Sequence, residues 1–568
     1  IRDRSIALQA GRDLAAAGTL QSTSTLDLRA QRALTITGQA SSSAATSLTA
    51  GTIATGVDAV VQSGSGITLD GQSIDSRGAL DAASDLQIRS TGALALAGVA
   101  QAGQDVVLTA GGAFDNAAQV VAARDLRLQA ATASNAAGGT LGALRDLHVE
   151  TAGVFDNAGS LHGERSLALS TGALLQRGRL YSGDALSITS QGAFDNSGQL
   201  VSGNDLSITA SRISSNGQLG SVNGAVALTS QGDVDLKGVV SAATTLQATA
   251  GGDLLQAGTL SAQSVTLNAG RDLSASGTLQ SASTLDMQAQ RALRISGQAQ
   301  ANSIALQGGS VATGTGAVVK SVGAITLDGA AIDSRGTLDA GSDLSLRSTG
   351  DLSVAGIAQA GRDVVLSAAG TVQNGGQVVA GRDMSVQAGR VDNTAAGALG
   401  AGGALTVVSA GALQNDGALQ SGGELRMTAA SLDQSGSAFA GNTLVANITG
   451  TLDNRGSLTA KNALQLDSGG LRSSGQLGSE TAGVTLHSRG DLQLQGVVAA
   501  ATTLQATAVG DLQQAGSLKA QSVALQAGRY LGISGTLQSA SLLDLQAQRT
   551  LGMTGQASAA GNASLRGA

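Results

Sequence analysis

One stretch occurs three times in the chain and limits what it can fold into. It reads GTLQSTSTLDLRAQRALTITGQA from Gly18, GTLQSASTLDMQAQRALRISGQA from Gly277 and GTLQSASLLDLQAQRTLGMTGQA from Gly535, so the copies lie 259 and 258 residues apart. Each copy holds a shorter motif, an apolar pair two residues apart (Leu26/Leu28, Leu285/Met287, Leu543/Leu545), followed by single apolar residues among small and polar ones. The short motif recurs along the whole chain at about 20 residues, and periods of this size mark solenoids, whose units bury their apolar faces only against neighbouring units.

The segment VVLTAGGAFDNAAQVVAARDLRLQA, Val106–Ala130, shows what one unit is. Val106 and Leu108 alternate with Val107 and Thr109, the period of a strand with one buried face. Gly111-Gly112 is expected to make one corner and Asp115-Asn116 a second, with Phe114 and Val120 pointing inward and Leu126/Leu128 opening the next turn. Three short strands per turn give an all-β fold, a right-handed parallel β-helix or β-solenoid, with its hand set by strand twist. The first inward residue can be followed through Ile6, Leu26, Leu48, Ile67, Leu86 and Val106 to Val523 and Leu543. That makes about 20 residues per turn and about 28 turns, a rod of roughly 130–140 Å at ~4.8 Å per turn. The register is weakest near Ala40–Ser65 and its echo at Ala299–Lys320. No step leaves room for an insertion, so residues 1–568 are expected to form a single continuous rod without a globular domain boundary. Neither end shows a polar capping turn, and the first residue is not Met, so the expectation is a piece of a longer protein.

Composition supports this reading. The chain has 81 Gly and no Pro or Cys. Proline removes a ladder donor, so its absence fits strand throughout, with corners of Gly, Asn and Asp. Lack of Cys excludes disulfides and thiolate zinc sites. The formal charge of −7 is thinly spread, and Lys stands only at positions 237, 320, 461 and 519. That excludes the dense basic surface that nucleic acid or an anionic membrane demands, and no apolar run reaches the length of a membrane span.

The pattern G-x-D-L-x-L-x-A…F-D-N-x-G-x-L, as in Arg124–Leu128 and Phe155–Leu161, resembles the haemagglutinin repeats of filamentous haemagglutinins. These are large bacterial exoproteins secreted by the two-partner route; the rods of contact-dependent growth-inhibition proteins are similar. The resemblance implies a secreted or cell-surface adhesin, tethered at the outer membrane. Its partners would be a receptor on a host or bacterial cell, a glycan or an integrin, and an outer-membrane secretion partner acting through regions outside this sequence. Neither the secretion domain nor a toxin-like module is found here.

Four candidate features carry chemistry. Arg489-Gly490-Asp491 spells the tripeptide that integrins read. Gly232-Asp233 and Gly350-Asp351 stand at equivalent places, so corner chemistry is the favoured reading. Asp-Asn pairs at Asp115-Asn116, Asp156-Asn157, Asp195-Asn196, Asp392-Asn393 and Asp453-Asn454 could supply oxygen ligands to Ca²⁺. Bonding to neighbouring backbone is the favoured alternative, no metal site is assigned, and no cofactor is implied. The column Asp105, Asp125, Asp146 is flanked by Arg124, Arg145 and Arg165, which would compete with a cation. His148, His162 and His487 lie outside any metal-ligand spacing. Catalysis, as in polysaccharide-active β-helix enzymes, needs convergent groups and a cleft; uniform turns, an absence of Trp and only Tyr181 and Tyr530 argue against an enzyme. The outward column Val107, Arg127, His148, Ala168, Ser187 shows no aromatic stripe.

Overall fold

Alternation builds each turn. In the computed structural model, Leu86–Ser90, Leu94–Leu96 and Val99–Ala102 form the three sides of one turn. Leu86, Ile88, Leu94, Leu96, Ala100 and Ala102 are buried, and the residues between them face outward. Each side pairs in parallel with the same side of the turns before and after. Leu86 lies between Ile67 and Val106, Leu94 between Ile74 and Phe114, and Ala100 between Leu80 and Val120. Backbone bonds therefore leave the turn for its neighbours, as with Leu86 N donating to Asp105 O at 2.9 Å. Stacks of like side chains fill the interior. This is an all-β parallel solenoid, with no helix among the described residues.

The structure describes residues 1–567 and divides into two compact units, Ile1–Ser283 and Thr284–Ala568. The first is a coil of about fourteen turns, which at ~4.8 Å per turn extends over roughly 65 Å. The second, taken by itself, has the same anatomy. Its turn of Leu344–Ser348, Leu352–Val354 and Ile357–Ala360 repeats the burial of the turn described above, 258 residues on.

Most of the expected register holds, with one exception. Leu26 pairs with Thr46, and Thr46 with Ile67. The first inward place of that turn thus belongs to a buried threonine, while Leu48 takes the second, between Leu28 and Leu69. Thr46 is tolerated there because its hydroxyl meets Ser42 Oγ at 2.8 Å, which satisfies a group otherwise costly to bury.

A second correction concerns the corners. Val106–Asn116 is one strand with a register irregularity between Ala110 and Ala113, so Asp115-Asn116 lies on a side of the coil and Ala117-Ala118 turns the corner. Period two explains it: Phe114 points in, Asp115 out and Asn116 in.

Glycine has a different reason from the expected one. No glycine here has positive φ, so backbone freedom is not what selects it. Crowding is. A Cβ on Gly98 would collide with Gly78 O, one on Gly178 with Gly159 O, and one on Gly198 with Gly178 O. The tight corners stack carbonyl over Cα, and only hydrogen fits.

The core shows volume rather than identity held constant. In the first unit one stack runs Phe114, Ala133, Phe155, all buried. The equivalent stack in the second unit is Val372, Val391, Leu413. Large–small–large has been exchanged for three middle-sized residues, the kind of swap that close-packed interiors accept.

Candidate functional site

Arg489-Gly490-Asp491 turns the corner between Val484–Ser488 and Leu492–Leu494. Arg489 and Asp491 are exposed, and each is tied to a different neighbour. The Arg489 guanidinium meets Asp467 at 3.1 Å and donates to Ile448 O at 3.2 Å. Asp491 Oδ1 accepts the Asp511 backbone N–H at 2.9 Å and pairs with Arg529 at 2.9 Å. A Cβ on Gly490 would lie 2.6 Å from Gly469 O, so the glycine is required by space. Asp233 in the first unit repeats this arrangement, accepting the Asp253 N–H at 2.8 Å and pairing with Arg271 at 2.9 Å. The Asp therefore does corner work in both units, with or without an arginine two residues before it.

The Asp-Asn pairs split between inside and outside. All five asparagines are buried. Asn116 Nδ2 donates to Asn135 Oδ1 at 2.7 Å, Asn135 to Asn157 at 2.7 Å, and Asn157 to Gln176 Oε1 at 2.8 Å. In the second unit Asn374, Asn393, Asn415 and Gln434 form the same ladder at 2.7–2.8 Å. The sequence reading placed these amides at corners bonding backbone. They do bond it, as in Asn116 Nδ2 to Ala118 O at 3.1 Å, but their main partners are one another.

The aspartates face outward and are engaged by protein groups. Asp115 accepts from Ser134 Oγ at 2.6 Å, Asp195 pairs with Arg212 at 3.2 Å, Asp392 with Arg390 at 2.8 Å and Asp453 with Arg455 at 2.8 Å; Asp156 pairs with Arg177. Along the first unit Asp75, Asp115, Asp156, Asp195 and Asp235 occupy every second turn of one outward column, with Ala95, Ser134, Leu175 and Ser214 between them. That holds like charges ~9.6 Å apart instead of ~4.8 Å, near the screening length of physiological salt. No group of three or more His, Cys, Asp or Glu among the described residues is arranged to hold a metal ion.

A corner column of aspartates is built differently. Asp105 Oδ1 accepts the Asp125 N–H at 3.1 Å, and Arg124 binds its carboxylate at 2.6 Å. Asp343 with Arg362, and Asp363 with Arg382, repeat the device in the second unit. The hydrogen-bonded arginine, aided by the backbone N–H of the next turn, holds the Asp105, Asp343 and Asp363 carboxyls below the usual range.

Of the histidines, His148 and His487 are half-buried on outward strand positions. His162 differs. Its ring stacks on Tyr181, with centroids 4.9 Å apart and planes 8° from parallel, and its Nε2 lies 2.9 Å from Glu164 Oε1. This pair stands on the third side of the coil. The sequence reading followed the outward column of the first side, through Arg127 and His148, and so passed it by. The signal was available: His162 and Tyr181 are 19 residues apart, one turn of the period.

The haemagglutinin-repeat family model matches the chain in ten overlapping segments: 4–98, 67–118, 95–136, 121–198, 166–238, 239–296, 294–356, 355–417, 385–430 and 420–496. Comparison with curated proteins and with solved structures gives no match.

Proposed function

The chain belongs to the haemagglutinin-repeat family of filamentous haemagglutinins, and on that premise we propose that it is a structural segment of a secreted or surface-exposed bacterial adhesin. Its task is mechanical: a stiff coil sets binding modules of the parent protein away from the cell. The observation that carries this reading is the unbroken pairing within each unit. Thr19–Ser22, Gln39–Ser42, Val60–Ser63 and Ala79–Ala82 hand on from turn to turn in parallel register, and the same regularity runs from Val318–Ser321 to Ile357–Ala360. Hydrogen bonds directed along the coil resist bending, and the stacked interior has no gap at which to hinge. A catalytic role has no support from the charged groups, whose carboxylates are spent on arginines and backbone N–H groups. By the same reasoning Arg489-Gly490-Asp491 is assigned to corner chemistry.

Excising one long repeat in register, Gly277–Ser534, tests the spacer role. Cells displaying the intact chain with a C-terminal epitope should be captured by immobilised antibody through a long surface polysaccharide. Capture should fall sharply after the excision. Undiminished capture would overturn the spacer reading.

A further inference from the structure

Only six aromatic residues occur in the chain, and three of them, Phe114, Phe155 and Phe194, are spent in the core. Tyr530 has a local duty: a Cβ on Gly532 or Gly552 would meet its ring, so the ring covers backbone that these glycines leave bare. Tyr181 has no such duty. It is 40% exposed on the third side of the coil, and its far face is free while the near face rests on His162. The equivalent place in the second unit holds Phe439, again outward, next to Gln420 rather than a histidine. Two of the six aromatics thus sit at one outward position of the repeat.

The surroundings form a groove. A depression of about 340 Å³ at His162, Arg179, Tyr181 and Gln199 shares Val201 with a second of about 380 Å³ that reaches Gln218 and Val239. The two follow the coil axis because glycine at 142 and 220, above and below the aromatic column, leaves the surface low. Gln199 and Gln218 line one side with their amides, 3.2 Å apart. Arg179 is on the same strand face as Tyr181, two residues away. Nearby Arg165 and Arg177 are paired with Asp146 and Asp156. Among the described residues, the Arg179 guanidinium has no ion-pair or hydrogen-bond partner. Glu164, the nearest acid along that strand pair, is held by His162.

An exposed ring face, a neighbouring free guanidinium and a row of amides along a shallow axial groove have a common ligand chemistry. Ring faces take the apolar face of a sugar, guanidinium takes a carboxylate, and amides donate to and accept from hydroxyls. We propose that the third side of the first unit, centred on Tyr181, binds an acidic oligosaccharide, one sugar ring lying on Tyr181 with its carboxylate on Arg179. The second unit, with Ser437 in place of Arg179 and Phe439 in place of Tyr181, lacks the anion partner and does not share the specificity. The site goes beyond the spacer role, and its loss would leave that role standing.

The test is binding of the full chain to an array of sialylated and uronate-containing oligosaccharides beside their neutral counterparts. Acidic members should be retained. Tyr181→Ala should weaken binding about tenfold or more, Tyr181→Phe should keep it within about threefold, and Arg179→Ala should remove the preference for acidic over neutral members. These side chains are exposed, so circular dichroism should stay unchanged in all three variants. No binding to any acidic member, binding to neutral members alone, or acidic binding indifferent to Tyr181→Ala would each overturn the proposal.

Discussion

Replacing Asn135 with leucine breaks the ladder at its middle rung. Asn135 accepts from Asn116 at 2.7 Å and donates to Asn157 at 2.7 Å, inside the coil with 1% of its surface exposed. Leucine can do neither. Asn116 keeps its bond to Ala118 O at 3.1 Å, so the loss on that side is one net hydrogen bond, about 0.5–1.5 kcal/mol. Asn157 Oδ1 is left buried with its ladder donor gone, a further ~1–3 kcal/mol. The extra apolar surface of leucine offsets part of this, leaving a local destabilisation of about 2–4 kcal/mol. In a solenoid that loss belongs to the affected turns and their neighbours. Native-state amide exchange should therefore accelerate by about 30-fold to 1000-fold in peptides covering 106–163, with 206–221 unaffected. Asn393→Leu is an internal replicate, since Asn393 sits between Asn374 and Asn415 at 2.8 and 2.7 Å. Ser134→Ala, next door but facing outward, is the control and should change exchange by less than a few-fold. If Asn135→Leu exchanges no faster than Ser134→Ala, or if the whole unit accelerates uniformly, the ladder does not hold the turns together as argued.

Further outcomes are expected. Leu126→Asp places a carboxylate in the stack between Val106 and Leu147, costing several kcal/mol unless it protonates. Limited proteolysis should nick that variant near the turn, whereas Arg127→Asp, which forgoes only a surface pair with Glu150 at 3.6 Å, should stay resistant; equal sensitivity would contradict the register. Asp491→Glu should leave cell binding unchanged, while binding lost with the fold intact would make the tripeptide an integrin-type site. Acid should weaken the coil in one direction. The Asp105, Asp343 and Asp363 carboxyls are held low by arginine, so their contribution is complete above the ordinary carboxylate value and is lost as pH falls through the depressed one. The melting temperature should be level at neutral pH and fall below about pH 4, less steeply in high salt; a rise on acidification would refute the assignment.

Strand phase was legible because alternation is a local signal that every turn repeats. It misled at Leu48, where the chain places a threonine in an apolar slot and the eye moves to the nearest leucine. The asparagines were misplaced for a related reason. Asn beside Asp is usual at corners, and a buried amide is affordable only if its neighbours one turn away are amides too. That condition is visible at a spacing of about 20 residues and invisible within a short window. Glycine was correctly placed at corners but for a reason that the sequence cannot express, since the obstacle is a carbonyl of the preceding turn. The groove at Tyr181 was missed because one outward column was inspected and the coil has three.

The two units, 258 residues out of step, separate what the coil requires from what it leaves free. The amides at 116, 135, 157 and 176 recur at 374, 393, 415 and 434, since a ladder with one rung missing strands its neighbours. Asp233, Asp253 and Arg271 recur as Asp491, Asp511 and Arg529, since the corner needs an acceptor for the next turn's N–H and a cation to neutralise it. Core positions drift within a fixed volume. Arg489 replaces Gln231 at a position where the side chain reaches solvent, so the integrin-like spelling arises from one surface difference laid over a corner that both units share. His162, Arg179 and Tyr181 become Gln420, Ser437 and Phe439, and no backbone pairing or buried bond explains their identity in the first unit. A side chain that the fold does not dictate, grouped with two others along a groove, is where recognition by such a coil has to be sought.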